Sequence, residues 1–208
     1  MAAETHGGLA ARLWQEAVRT LRVDGPLPAR LLADAAALLT LLSLVLGLWD
    51  STVAVALYAL VLLGQTVVRL APLRAPVQAG TAVTLLFAAW AAMLDAYQLI
   101  PWLDLMAHVV ATGLLAAIVA AALLRGGWLR PGSTATSAVR TGQTLLTAGL
   151  GALLAVLWEV GEWFGHTLLD PAIQVGYEDT VGDLAAGVLG SLLAGLFLDR
   201  LVKDGPWP

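Results

Sequence analysis

No cysteine occurs in the sequence, so disulfides and thiolate metal sites are excluded. Charge is scarce as well: 12% of the 208 residues are charged, against 59% hydrophobic. A mean hydropathy of +0.82 excludes an ordinary soluble domain. The opening stretch Met1-Ala-Ala-Glu-Thr-His-Gly-Gly has no basic region leading into an apolar one. No cleavable signal peptide is therefore expected, and the first spanning segment must itself direct insertion. Two hydrolase signatures, His-Glu-x-x-His and Gly-x-Ser-x-Gly, are also missing.

What remains is a series of apolar runs near the ~20 residues that a ~30 Å hydrocarbon core requires. They predict six spanning helices at about 30–49, 52–70, 77–96, 105–124, 141–166 and 179–199. Ser51 or Thr52 is placed to cap the second helix. Pro72, Pro76, Pro101, Gly126-Gly127 and Pro131-Gly132 mark turns. Ahead of these, residues 8–23 read as a short amphipathic helix. Leu9, Leu13, Ala17 and Leu21 share one face, with Arg12, Glu16 and Arg19 away from it. The expected fold is all-α: a polytopic six-helix transmembrane domain over 30–208, preceded by a cytoplasmic amphipathic segment over 1–29 that lies on the membrane surface.

Basic residues set the orientation. In this six-helix scheme all 11 Lys and Arg fall on one side: Arg12, Arg19, Arg22, Arg30, Arg69, Arg74, Arg125, Arg130, Arg140, Arg200 and Lys203. Both termini are then cytoplasmic, and a bacterial inner membrane is the expected location. The other side holds Asp50, Asp95, Asp104, Glu159, Glu162, Asp170, Glu178, Asp179 and Asp183, with only His108 and His166 to offer positive charge. The remaining acids sit among the inner arginines, where Arg30 and Asp34 are spaced as an i,i+4 pair. Trp49, Trp102, Trp158 and Trp163 fall near the outer interface and Trp128 near the inner one, as an aromatic belt would.

Three constellations recur with helical spacing at the outer ends of the last three spans. Asp104-x-x-x-His108 opens the fourth, Glu159-x-x-Glu162-x-x-x-His166 closes the fifth, and Asp179-x-x-x-Asp183 opens the sixth. Glu159, Glu162 and His166 fall on one helical face. Carboxylates at this depth without a basic partner must bind a cation, share protons or face water. Simpler roles compete. Asp104 can cap the fourth helix, Asp179 or Thr180 the sixth, and a lone His108 is often just a hydrogen-bonded core residue.

Small residues accompany the acids. The sixth span carries Ala186-x-x-x-Gly190-x-x-x-Ala194 and Gly187-x-x-x-Ser191-x-x-x-Gly195, and the fifth ends with Gly161-x-x-x-Gly165. This spacing lets helix backbones approach closely, and at Gly161 and Gly165 it is expected to draw acidic faces together.

The run Asp104-Leu-Met-Ala-His108, then Leu157-Trp158-Glu159-Val160-Gly161-Glu162, then Tyr177-Glu178-Asp179-Thr180-Val181-Gly182-Asp183-Leu184 with Gly187 and Gly190, resembles the uncharacterised bacterial inner-membrane family typified by YjdF. More distantly it is similar to the VanZ-type proteins linked to low-level glycopeptide tolerance. The resemblance spans roughly residues 85 to 198. It departs from the VanZ pattern where Glu159 and Glu162 stand for Glu-x-x-Gln, where Gly187 stands for an Asn, and in lacking an Arg before the last helix. The drug-tolerance role is therefore not carried over, and the nearer family supplies no reaction.

The residues themselves point to a divalent cation, such as Mg²⁺, Mn²⁺, Ca²⁺ or Zn²⁺, held by a subset of Asp104, His108, Glu159, Glu162, His166, Asp179 and Asp183. An enzyme acting on a lipid-linked or envelope substrate would use Glu159, Glu162 and Asp183 as its catalytic carboxylates. The competing readings are a cation or small-ligand binding or transport protein, and a non-catalytic structural subunit. Expected partners are membrane lipids, together with a homo-oligomer or larger membrane complex formed through the small-residue helix faces. No nucleic acid is expected.

Overall fold

The computed structural model describes residues 11–128, apart from 13 and 17, and residues 136–203. Eight helices follow residue 26: α1 Leu27–Gly47, α2 Thr52–Leu70, α3 Ala75–Met93, α4 Ala96–Leu99, α5 Pro101–Arg125, α6 Ser137–Leu168, α7 Tyr177–Leu196 and α8 Leu198–Leu201. Six of them, all but α4 and α8, are long and apolar enough to cross a membrane, as the hydropathy pattern predicts. Among the described residues there is no strand beyond an isolated bridge between Leu73 and Val202. The described residues between 11 and 20 are helical; of the apolar face expected there, Leu9, Leu13 and Ala17 lie outside the described residues.

Helix starts fall earlier than expected at five places, and at three of them proline is the reason. α1, α3 and α5 each carry Pro in the first two positions, where the missing N–H has no intrahelical partner to lose. Pro28, Pro76 and Pro101 therefore open helices as well as closing turns. Ser51 caps α2, its side chain accepting from the Ala54 N–H at 3.1 Å. α3 ends at Met93, short of the expected 96, because Asp95 turns the chain with a left-handed backbone (φ 55°). α6 is the longest helix at 32 residues, about 48 Å at ~1.5 Å per residue. It outruns a ~30 Å hydrocarbon core.

The helices form two bundles, α1–α2–α3 and α5–α6–α7, with α3 touching α5 between them. The buried surface is mostly alanine, glycine and threonine, while leucines such as Leu31, Leu38, Leu46 and Leu63 point outward. That distribution suits lipid, in which large apolar side chains gain nothing by turning inward and small ones let helices meet. Gln65 ties the first bundle together, donating to Thr40 Oγ1 at 2.9 Å and to the Ala82 carbonyl at 3.0 Å.

In the second bundle α7 packs against both α5 and α6. A Cβ on Gly190 would overlap the Val109 carbonyl, and one on Gly113 would lie 2.6 Å from the Gly190 oxygen. Gly187 faces Thr112 and Ala155, while Gly151 leaves room for Ser191. The small faces of α7 are thus buried inside the chain, not left open for partners as the spacing had suggested. Gly161 is a second correction: it faces open space, and Gly165 packs under Ile173, so no backbone approach occurs at that pair.

At the arginine-bearing end, Asp34 pairs with Arg69 at 2.8 Å and not with Arg30. Helix α2 brings a guanidinium that also holds the Leu21 and Ala33 carbonyls at 3.0 and 2.9 Å. This planar, multi-donor grip is stronger than a flexible i,i+4 contact on one helix. Arg74 Nε donates to the Val202 carbonyl at 3.0 Å, so the turn between α2 and α3 and the segment after α8 meet at this end.

Because a backbone carbonyl cannot swing aside, Gly190→Ala should destabilise the protein by about 1–3 kcal/mol. Gly149→Ala, with nothing within 4 Å of its Cβ, should be neutral or slightly stabilising through helix propensity. Thermal unfolding in detergent compares the two, and equal effects would contradict the packing described.

Candidate functional site

Asp104, His108 and Asp183 converge at the end of the second bundle opposite the arginines. The α5 register puts Asp104 and His108 one turn apart on one face. Their side chains meet Asp183 of α7, which is only 2% exposed. His108 Nε2 lies 3.6 Å from Asp104 Oδ1 and 3.8 Å from Asp183 Oδ2. One ligand atom from each of the three lies within 4.8 Å of the others. Both oxygen–nitrogen gaps exceed a hydrogen bond, so the imidazole stands between two carboxylates without bonding either.

Neither aspartate is a helix cap. The residues preceding α5 and α7 are Ile100 and Gly176, without side-chain cap bonds. Asp104 and Asp179 do lie in first turns, where the helix dipole favours negative charge. Asp179 itself is exposed.

α6 brings the remaining carboxylates. Glu159 and Glu162 are half-buried, while Trp158, Val160 and Gly161 beside them are exposed, so the acidic face turns toward the bundle. Glu159 feels the charges of Asp179 and Asp104, and Glu162 those of Glu159, Asp104 and Asp183. Thr180 and Trp158 are polar neighbours of Glu159 and Glu162 respectively. Even so, Glu159 Oε1 is buried with no hydrogen-bond partner, an arrangement that costs about 1–3 kcal/mol when nothing compensates it. Among the described residues, the ion-pair partner of Asp104 and Asp183 is His108.

His166 goes elsewhere. Its Nδ1 sits 2.7 Å from the Ile173 carbonyl, pinning the turn after α6, where Asp170 accepts from the Ala172 N–H at 2.8 Å. Of the seven residues singled out from the sequence, three meet at ligand distance. Glu159, Glu162 and Asp179 surround them electrostatically, and His166 is tied into the loop.

A model of the family described as "Predicted membrane protein (DUF2238)" matches residues 29–204. The chain belongs to that family. It is the family of the YjdF-like proteins, while the likeness to VanZ-type proteins stays a resemblance of motifs. No curated protein and no solved structure matches. The DUF2238 match takes in both bundles, so the acidic end and the arginine end are parts of one family domain.

One neighbour of the site in this DUF2238 chain escaped the sequence reading. Tyr97, on α4, donates its hydroxyl to the Ala88 carbonyl at 3.0 Å. Burial raises its pKa first, and the negative charges of Asp104, Glu162 and Asp183 raise it further. A tyrosine close before Pro101 reads as another belt aromatic, and only the turn at Asp95 sets it against the carboxylates.

A phenol whose folded pKa is raised loses stability at high pH, because the unfolded chain ionises first. Stability should thus decline as pH climbs above the ordinary tyrosine value of 10.0. Tyr97→Phe should lower stability at neutral pH by about 0.5–1.5 kcal/mol, through the lost bond to Ala88, yet make the alkaline decline shallower. Parallel pH profiles for the two proteins would show that Tyr97 does not sense the site.

Proposed function

We propose that this multi-pass membrane protein binds a divalent cation through Asp104, His108 and Asp183, at the helix ends facing away from the cytoplasm. The observation that carries this reading is the convergence of three ligand atoms from two helices within 4.8 Å, with no lysine or arginine among the described residues paired to either aspartate. Ligands ~2.0–2.2 Å from an ion stand at most ~4.4 Å apart, so the three need to close in by only a few tenths of an ångström. Two carboxylates and a neutral imidazole carry two negative charges, which a divalent ion cancels. Without such a partner, each buried charge costs several kcal/mol. Oxygen donors with one imidazole favour Zn²⁺ or Mn²⁺ over Mg²⁺ or Ca²⁺. Glu159, with its orphaned oxygen, is the natural fourth ligand or base, and Glu162 stands behind it.

Orientation supports the same reading. The arginine distribution supports an orientation with both termini cytoplasmic in a bacterial inner membrane, and in that orientation the acidic cluster lies on the far side. Exposed Trp102, Trp158 and Trp163 are on the same helix ends as the site, at the level of lipid headgroups. A substrate reaching a bound ion there would be lipid-linked or part of the envelope. The ion would polarise that substrate or a water molecule, with Glu159 or Glu162 taking the proton.

Equilibrium dialysis of the purified protein against Zn²⁺ and, separately, Mn²⁺ tests the proposal. About one ion per chain should be retained. At 100 times its Kd the ion should add about 2.7 kcal/mol of stability by mass action. Asp183→Asn should abolish both effects, whereas Asp50→Asn, outside the cluster, should leave them intact. Retention by Asp183→Asn equal to wild type, or no retention by wild type, would overturn the assignment.

A further inference from the structure

The segment ahead of α1 is helical at the described positions between 11 and 20, and each of those positions is exposed. Trp14 is 71% and Val18 50% exposed, so no described part of the chain covers them. At about 100° per residue, Trp14, Val18 and the partly buried Leu21 fall within one narrow sector. Arg12, Glu16 and Arg19 lie opposite, with Arg22 at the flank. Over residues 11–22, Arg12, Arg19 and Arg22 against Glu16 leave two net positive charges, and Asp24 beyond them pairs with Lys203.

Its place is fixed at one end. Arg69 holds the Leu21 carbonyl at 3.0 Å, and Val23 packs into a buried cluster with Ala29, Ala33, Ala75 and Ala79. These four alanines belong to the first two turns of α1 and α3, so the helix ends where the spanning segments leave the hydrocarbon.

We propose that the described residues between 11 and 22 form a recognition surface for anionic phospholipid in the cytoplasmic leaflet. Trp14 and Val18 enter the headgroup boundary, while Arg12, Arg19 and Arg22 meet the phosphates. A tryptophan-centred apolar sector beside basic residues is the pattern of an interfacial helix. The tether at Arg69 holds it where a leaflet surface lies within reach. Its net charge is complementary to that of anionic headgroups. The assignment is independent of the metal site.

The absence of native cysteine makes the test direct. A nitroxide is attached at Trp14→Cys, or at Glu16→Cys as control, in the full-length protein. The protein is placed in nanodiscs of phosphatidylcholine alone or mixed with phosphatidylglycerol. The label at 14 should be shielded from a water-soluble relaxant and reached by oxygen, and the label at 16 should show the reverse. Adding phosphatidylglycerol should drive the label at 14 further from water. Replacing Arg12, Arg19 and Arg22 together by Gln should remove that lipid response, the bound fraction relative to free falling roughly 5-fold per arginine. A label at 14 that is water-exposed in both lipids would overturn the proposal. So would one shielded equally whatever the headgroup charge, or one broadened by a second copy, which would mark the face as a protein contact.

Discussion

Glycine at 113 and at 190 lets α5 and α7 approach backbone to backbone, and the placement of the acidic groups follows from that contact. Lipid offers no hydrophobic drive for helices to associate, so close packing must supply the attraction. Asp183 stands two turns before Gly190 on the same face of α7, and His108 stands just before Val109, whose carbonyl Gly190 meets. Close approach at the glycines therefore carries the carboxylate to the imidazole. α6 completes the bundle through Gly151 against Ser191 and Ala155 against Gly187, which brings Glu159 up beside them.

Packing of this kind has an electrostatic cost. It gathers carboxylates from three helices at one end of the bundle and sends the described basic residues to the other, where Arg69 and Lys203 pair with Asp34 and Asp24. At the arginine end, Asp34 and Asp24 each find a basic partner within the chain. At the acidic end Asp104 and Asp183 have no lysine or arginine partner among the described residues, and Glu159 retains a buried oxygen without a donor. A bound cation is the simplest way to restore balance there, which is why the proposed function rests on the convergence and not on any single residue.

Much of the fold was legible because hydropathy and the arginine distribution are physical requirements of a bilayer. The spans, their number and the pairing of acidic ends could all be read from spacing. What escaped depended on contacts between helices. Arg69 outcompeted Arg30 for Asp34 because the partner came from α2, which no local pattern encodes. The register of His166 matched Glu159 and Glu162, yet the chain turned back after Leu168 and offered it the Ile173 carbonyl. Gly161 had the right spacing for a close approach but faced outward. Tyr97 was missed because its position depends on the left-handed turn at Asp95, which a non-glycine residue seldom signals.

The central claim is that one imidazole from α5 and one carboxylate from α7 share an ion. Pulsed EPR on protein loaded with Mn²⁺ reads this directly, since a coordinated imidazole couples its nitrogen nucleus to the metal spin. A single histidine nitrogen coupling, lost in His108→Ala and kept in His166→Ala, is the predicted result. Bound Mn²⁺ with no nitrogen coupling, or a coupling that disappears with His166 instead, would contradict the account.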